Sequence, residues 1–231
     1  WKCMSYQRGD GLSMATATQF GGRLSGGAIA TGEAVYDGTA LTEVHWIPYK
    51  GNAISFLEQS GSGFTYTSSG LATSSTAKLT NAISCTTGNG SPTLTANADG
   101  FFHLIAGMEV SGTGIAGGTT ISSITSNTVL TLSANATADG TATITFKVPA
   151  DKNVDLYAVD TGGGTTYLRM GRIWTSATVR VSDLLWNGFG FYTNGSVNDL
   201  INSSTFPAFG TYLGTVRNTG TAGQTQDNTA K

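Results

Sequence analysis

No long stretch of this chain repeats its apolar residues at helical spacing. Between residues 85 and 146 the alternative is plain: short β-branched segments cut apart by Gly and Asn. Residues 119–124, 128–132 and 141–146 read as strands, separated by Ser126-Asn127 and by the run from Asn135 to Gly140. β-Branched side chains suit a pleated surface, and Gly and Asn supply tight reversals. Within this stretch Gly112, Gly114 and Gly117 spell a dinucleotide-binding pattern, which requires a helix to follow so that its N-terminus can carry a phosphate. The residues that follow, Thr119-Thr120-Ile121-Ser122-Ser123-Ile124, are those of a strand. The pattern is therefore read as turns, and no cofactor is expected.

The flanking sequence carries the same signature. Segments 42–47, 53–57, 63–67, 154–159, 165–170, 173–176, 179–181 and 211–216 are short and rich in β-branched and aromatic residues, with Asp37-Gly38, Gly162-Gly163-Gly164 and Asn187-Gly188 as turn signals. Asn-Gly and Asp-Gly favour two-residue hairpins, and Pro48 should end a ladder because it has no N–H to give. Residues 71–81 read as a loop or one short helix, and only 182–186 and 197–201 hold even a turn of helix. The fold class expected is all-β, with a β-sandwich or jelly-roll-like host domain (28–84 plus 148–231) interrupted by a small inserted β domain (85–147). About 60 residues is enough for such a unit to fold around a small core. Leu156 and Trp174 are expected in the host core. Residues 1–27 read as an arm with no core of their own, ordered by whatever they lie against; Arg8-Gly9-Asp10 within it is a chance tripeptide.

Only 11% of the residues are charged, against about 25% in ordinary soluble domains. That deficit suits strands packed in an assembly, because few Lys and only 4 Pro are available to keep sheet edges apart. A homo-oligomer is expected, and composition does not fix the number of its subunits. The net charge of −2 offers no clustered basic face for nucleic acid, and Arg169, Arg172 and Arg180 read as surface scatter. No apolar run approaches the roughly 20 residues of a membrane span, and Trp1-Lys2-Cys3-Met4 lacks the apolar core of a signal peptide. Cys3 and Cys85 form one disulfide or two inert thiols; spacing does not decide.

Chemistry is sparse. Nucleophilic catalysis needs a base beside the nucleophile, and the two histidines, His45 and His103, sit in apolar, strand-like surroundings with no Gly-x-Ser-x-Gly elbow anywhere. Glycoside hydrolysis needs two facing carboxylates; Asp151, Asp155 and Asp160 are the nearest approach. Two His and two Cys far apart give no metal-ligand spacing. No catalytic residue, metal or cofactor is expected, and the chain is read as not an enzyme. Aromatic side chains are the best binding hint. Trp46, Tyr49, Trp186 and Tyr192 are the candidate glycan contacts if they face outward, with Trp174 and Tyr212 as further aromatics; otherwise they fill the core.

Two resemblances extend this reading. Residues 107–120, together with Leu130-Thr131-Leu132-Ser133-Ala134-Asn135-Ala136-Thr137, resemble a small β-module found in bacteriophage structural proteins and some bacterial surface proteins, where it is an insertion or spacer without activity of its own. On either side, Gly22-Arg23-Leu24-Ser25, Trp46-Ile47-Pro48-Tyr49-Lys50-Gly51-Asn52, Ile173-Trp174-Thr175-Ser176-Ala177-Thr178-Val179-Arg180 and Tyr212-Leu213-Gly214-Thr215-Val216-Arg217 fall in an order similar to that of a phage family of virion structural proteins. The resemblance implies a tail-fibre, spike or head-decoration subunit in the virion. Its partners would be its own copies, in a trimer as is common for fibres and spikes, together with other virion proteins and host-surface polysaccharide. The alternative function is a non-enzymatic, glycan-binding adhesin module of a phage or bacterial surface.

Overall fold

The computed structural model describes residues 21–25, 38–50, 54–57, 64–67, 76–98, 100–160, 166–186, 192–193 and 210–227. Most of the arm, residues 34–37 and 71–75, and the 197–201 segment lie outside them. Among the described residues the chain is all-β, and the one helical piece is a single 3-10 turn at Phe101–His103. The first strands are β1 (Gly21–Ser25), β2 (Gly38–Leu41), β3 (Glu43–Lys50), β4 (Ile54–Leu57), β5 (Phe64–Thr67) and β6 (Thr76–Lys78). The middle of the chain supplies β7 (Thr80–Thr87), β8 (Thr93–Ala96), β9 (Glu109–Ser111), β10 (Ile121–Ile124), β11 (Val129–Leu132) and β12 (Gly140–Lys147). The rest supplies β13 (Asn153–Asp160), β14 (Thr166–Ile173), β15 (Leu185–Trp186), β16 (Tyr192–Thr193), β17 (Thr211–Arg217) and β18 (Thr225–Asp227).

The middle strands form one antiparallel sheet in the order β10-β11-β8-β7-β12-β9. It closes on itself. Glu109 bridges Thr120, the Val110 N–H donates to the Thr119 carbonyl at 2.8 Å and the Ile121 N–H to the Met108 carbonyl at 2.9 Å. Closure removes the free edges that a six-stranded sheet would otherwise expose. Period-two alternation decides the inside: Cys85, Leu94, Leu130, Leu132, Ile144 and Phe146 are buried, while Ser84, Thr86, Thr93, Thr95 and Thr143 face out. Phe101 enters from the 3-10 turn and meets Phe146 edge-on, with ring centroids 5.9 Å apart. The ladder between β7 and β12 runs unbroken from Thr80↔Lys147 to Thr87↔Gly140, so the sheet extends to Thr80, N-terminal to the domain limit read at residue 85.

The Gly112-x-Gly114-x-x-Gly117 run is a pair of turns joining β9 to β10. The Ile115 N–H bonds the Gly112 carbonyl at 3.2 Å and the Thr119 N–H the Ala116 carbonyl at 3.3 Å. The third positions are Gly114 and Gly118, at φ 78° and 79°, the positive φ that a type II turn demands and glycine supplies.

Outside the barrel, β13 is the middle of the longest ladders, in a sheet ordered β14-β13-β17-β16-β15. It is buried on both faces. Val154, Leu156 and Ala158 join an apolar cluster continuous with the barrel interior, and Tyr157 and Val159 meet Tyr167, Leu184 and Tyr212 on the other side. A sheet β1-β3-β6 and two ribbons, β18-β2 and β4-β5, complete the described strands. Leu24 of β1 packs where Gly214 has no side chain; a Cβ there would stand 2.7 Å from Leu24 Cδ1.

Several expectations need correction. β3 does not stop at Pro48: the strand runs to Lys50, with Pro48 opposite Gly22 and a register shift beside it. The β3–β6 ladder ends at His45, so Pro48 has a ladder on one side only among the described residues, and its missing N–H costs no bond there. Residues 76–78 and 80–81 are strand, not helix or loop. Trp186 pairs with Tyr192, and Asn187-Gly188 between them lies outside the described residues. Trp174 is half-buried rather than a core residue, whereas Leu156 is fully buried as expected.

Candidate functional site

Among the aromatic residues read as glycan contacts, Trp46 is buried at 5% exposure and belongs to the apolar cluster. It offers no face for stacking. Tyr49 lies in β3, and Trp186 and Tyr192 sit opposite each other in the β15–β16 ladder; their side chains lie outside the described set. The carboxylates are also dispersed. Asp151, on a positive-φ turn at 56°, pairs with Arg217 at 3.5 Å, and Asp155 pairs with Arg180 at 2.8 Å, so each is engaged by a different arginine. The side chain of Asp160 lies outside the described set.

What the fold does assemble is a set of partners around each histidine separately. On β3, Glu43 and His45 share one face by period two, and β6 places Lys78 opposite Glu43 and Thr76 opposite His45. The Thr76 hydroxyl lies 3.1 Å from His45 Nδ1. His45 Nε2 is 3.7 Å from a Glu43 oxygen, whose partner oxygen is 3.8 Å from Lys78 Nζ. A carboxylate beside Nε2 favours the proton there, which leaves Nδ1 to accept from Thr76. Burial lowers the His45 pKa, and Glu43 opposes that shift only in part.

The barrel meets β14 through its 3-10 turn. Phe101 points into the barrel, while the Phe102 ring packs against His103 and Tyr167, each centroid 4.9 Å away. The Arg169 guanidinium stacks 4.4 Å from the Phe102 centroid, a cation–π contact strengthened by desolvation. Arg169 is 3% exposed, so it is no surface scatter; burial drops its pKa to about 10. His103 falls to about 4 because it is buried and because Arg169 and Lys78 add positive potential. Both imidazoles are therefore neutral at pH 7.

A second polar cluster ties the 174–184 loop to the host sheet. Arg180 Nε donates to Asp155 at 2.8 Å and Nη2 donates to the other oxygen at 3.3 Å. Its guanidinium lies 4.3 Å from the Trp174 ring centroid and 5.7 Å from that of Tyr212. The Thr215 hydroxyl also donates to Asp155. The Arg169/Arg172/Arg180 set thus divides: Arg169 and Arg180 hold structure, and Arg172 alone is exposed.

Chemically these groups are fixed rather than poised. A hydroxyl, an imidazole and a carboxylate in line, as in Thr76–His45–Glu43, echo a nucleophile–base arrangement, but at 7% exposure His45 presents no open face to a substrate. Cys85 is a free thiol at the barrel centre, and burial pushes its pKa up to about 12, far from the thiolate that nucleophiles and metal ligands require. Among the described residues no group of three or more His, Cys, Asp or Glu could hold a metal ion, and no helix is long and apolar enough to cross a membrane. A cleft of about 240 Å³ opens beside the paired turns, between Glu109, Lys147, Ile115 and Ala222. Both histidine clusters were missed in the sequence because their members are far apart in it, residues 43–45 with 76–78 in one and 102–103 with 167–169 in the other; only the in-strand spacing of Glu43 and His45 hinted at the first. Comparison with protein-family models, curated proteins and solved structures finds no match to this chain.

Proposed function

We propose that this chain is a bacteriophage virion structural protein, a fibre, spike or capsid-decoration subunit that works by assembling with copies of itself and with other virion proteins, without catalysis. The observation that carries the reading is the contrast between its two parts. The barrel closes its edges, whereas the other described strands are dispersed over four small sheets, two of them two-stranded ribbons. A two-stranded ribbon has little stability of its own in water. Strands β2, β4, β5 and β15 carry no charged residue, so they lack the usual protection against edge-to-edge pairing. Pairing with a neighbouring subunit satisfies them. The resemblance of residues 107–120 and 130–137 to a phage spacer module, and of the flanking motifs to virion proteins, supports the same reading, in which the protein lies on the particle surface.

Light scattering coupled to size-exclusion chromatography on the full chain tests this. The expected result is a discrete homo-oligomer, with a trimer the first state to look for, at micromolar concentration. A stable monomer that neither aggregates nor joins other virion proteins would overturn the proposal.

A further inference from the structure

Three pieces of chain bound the cleft beside the paired turns. The β9–β12 ladder sets Glu109 directly opposite Lys147, the turns add Ile115, Gly117 and Gly118, and Ala222 comes from the turn before β18. That last wall is fixed in place. The Gly223 N–H donates to the Val148 carbonyl at 2.7 Å, and the Thr80 hydroxyl donates to the Gly223 carbonyl at 2.8 Å. The volume, about 240 Å³, falls below the roughly 300–1,000 Å³ of pockets for drug-sized ligands and suits a single small ring.

The polar groups here are unengaged. Among the described residues no ion pair joins Glu109 to Lys147, and no hydrogen bond occupies the side chains of Glu109, Ser111 or Lys147. No backbone carbonyl takes the N–H of Gly117 or Gly118. The Thr119 hydroxyl, by contrast, is held by the Ala116 carbonyl at 2.7 Å. Glu109 offers acceptors, Lys147 and the two amides offer donors, and Ser111 offers either. The two formal charges cancel, and Ile115 and Ala222 add apolar surface.

We propose that this cleft binds one unit of a neutral sugar, a pyranose whose hydroxyls donate to Glu109 and accept from Lys147 while its C–H face lies on Ile115 and Ala222. The chemistry of the lining selects that class. An anion such as phosphate would meet the Glu109 carboxylate, and an amine would meet the Lys147 ammonium, so neither charge is favoured. A zwitterionic amino acid answers the two charges but leaves Ser111 and the Gly117 and Gly118 amides without a partner. A ring bearing several hydroxyls, each both donor and acceptor, answers all of them. None of the aromatic residues considered for glycan contact lines this cleft, so stacking contributes nothing and each site binds weakly. The cleft lies within one chain, so binding is independent of the assembly proposed above; copies displayed together would add avidity.

Amide-resolved NMR titration of the full-length protein at pH 7 tests the site. The probes are methyl α-glucopyranoside, methyl α-galactopyranoside, methyl α-mannopyranoside and N-acetylglucosamine, with alanine as the zwitterionic control. At least one sugar should shift the amides of 109–111, 115–119 and 147 with a roughly millimolar Kd, and alanine should shift none of them. Glu109→Gln and Lys147→Met should each weaken that sugar about tenfold, the loss of one hydrogen bond to a charged group. Gly117→Leu should abolish binding and leave the urea midpoint unchanged, because a Cβ at 117 meets nothing within 4 Å and the longer side chain takes up the cleft. The proposal is overturned if no probe sugar shifts these amides or if the shifts scatter over the surface. It is equally overturned if alanine binds there more tightly than every sugar, or if a Glu109→Gln/Lys147→Met protein keeps the wild-type affinity.

Discussion

Removing the Arg180 guanidinium should destabilise the protein more than removing both members of its ion pair, by about 1 kcal/mol. Asp155 is 5% exposed and accepts from Arg180 Nε at 2.8 Å, from Nη2 at 3.3 Å and from the Thr215 hydroxyl. Arg180→Met keeps the aliphatic stem against Trp174 and Tyr212 but leaves a buried carboxylate with one hydroxyl donor. Stranding a buried charge costs about 3–5 kcal/mol. Because the Arg180 side chain is 28% exposed, water reaches the gap and the lower end, about 3 kcal/mol, is expected. Asp155→Asn should cost less, about 1–2 kcal/mol, since the guanidinium it releases can be hydrated. The double variant strands nothing and should cost about 2 kcal/mol, which makes the coupling about 2–3 kcal/mol. Urea unfolding at pH 7 with matched m-values measures it, and for a chain of this size each kcal/mol moves Tm by about 2–4 °C. The coupling should survive 1 M salt, because a desolvated pair is screened far less than a surface pair. A coupling under about 0.5 kcal/mol, or one erased by salt, would place the pair with ordinary surface contacts and refute the reasoning.

Three further outcomes are expected. Phe146→Ala opens a cavity against Phe101 in the barrel centre and should cost about 3–5 kcal/mol in urea unfolding; a loss under 1 kcal/mol would mean the barrel interior collapses freely. Gly118→Ala should cost about 1 kcal/mol, because φ is 79° and a Cβ there meets nothing within 4 Å, which isolates the backbone penalty; no change in the urea midpoint would argue against the type II turn. Cys85, buried with its pKa near 12, should react with a thiol reagent at pH 8 only at the rate of global opening, and fast labelling of the native protein would show the barrel to be open.

The local β-character of this chain was legible because it is a short-range property. β-Branched residues at 119–124, 128–132 and 141–146, and glycines where positive φ is needed, act through backbone sterics within a few residues, and three of the six barrel strands follow them closely. The other three were harder. β7 and β8 consist mostly of Thr, Ser and Ala, and β9 is three residues long; their pairing comes from ladder partners distant in sequence. The same limit explains Pro48, tolerated because the neighbouring ladder ends at His45, and Arg169, whose burial under Phe102 depends on where the barrel docks.

By itself, then, the sequence determined the all-β class, the turn character of 112–118 and the shortage of charge, since each follows from residue type and near neighbours. Only the tertiary structure decided that six strands close into a barrel and that Trp46 turns inward. It alone set Phe102 against Tyr167 and Arg169, more than 60 positions away in the chain. Those outcomes rest on contacts between residues far apart in sequence, where the entropy of closing long loops is offset by burial rather than by any local preference.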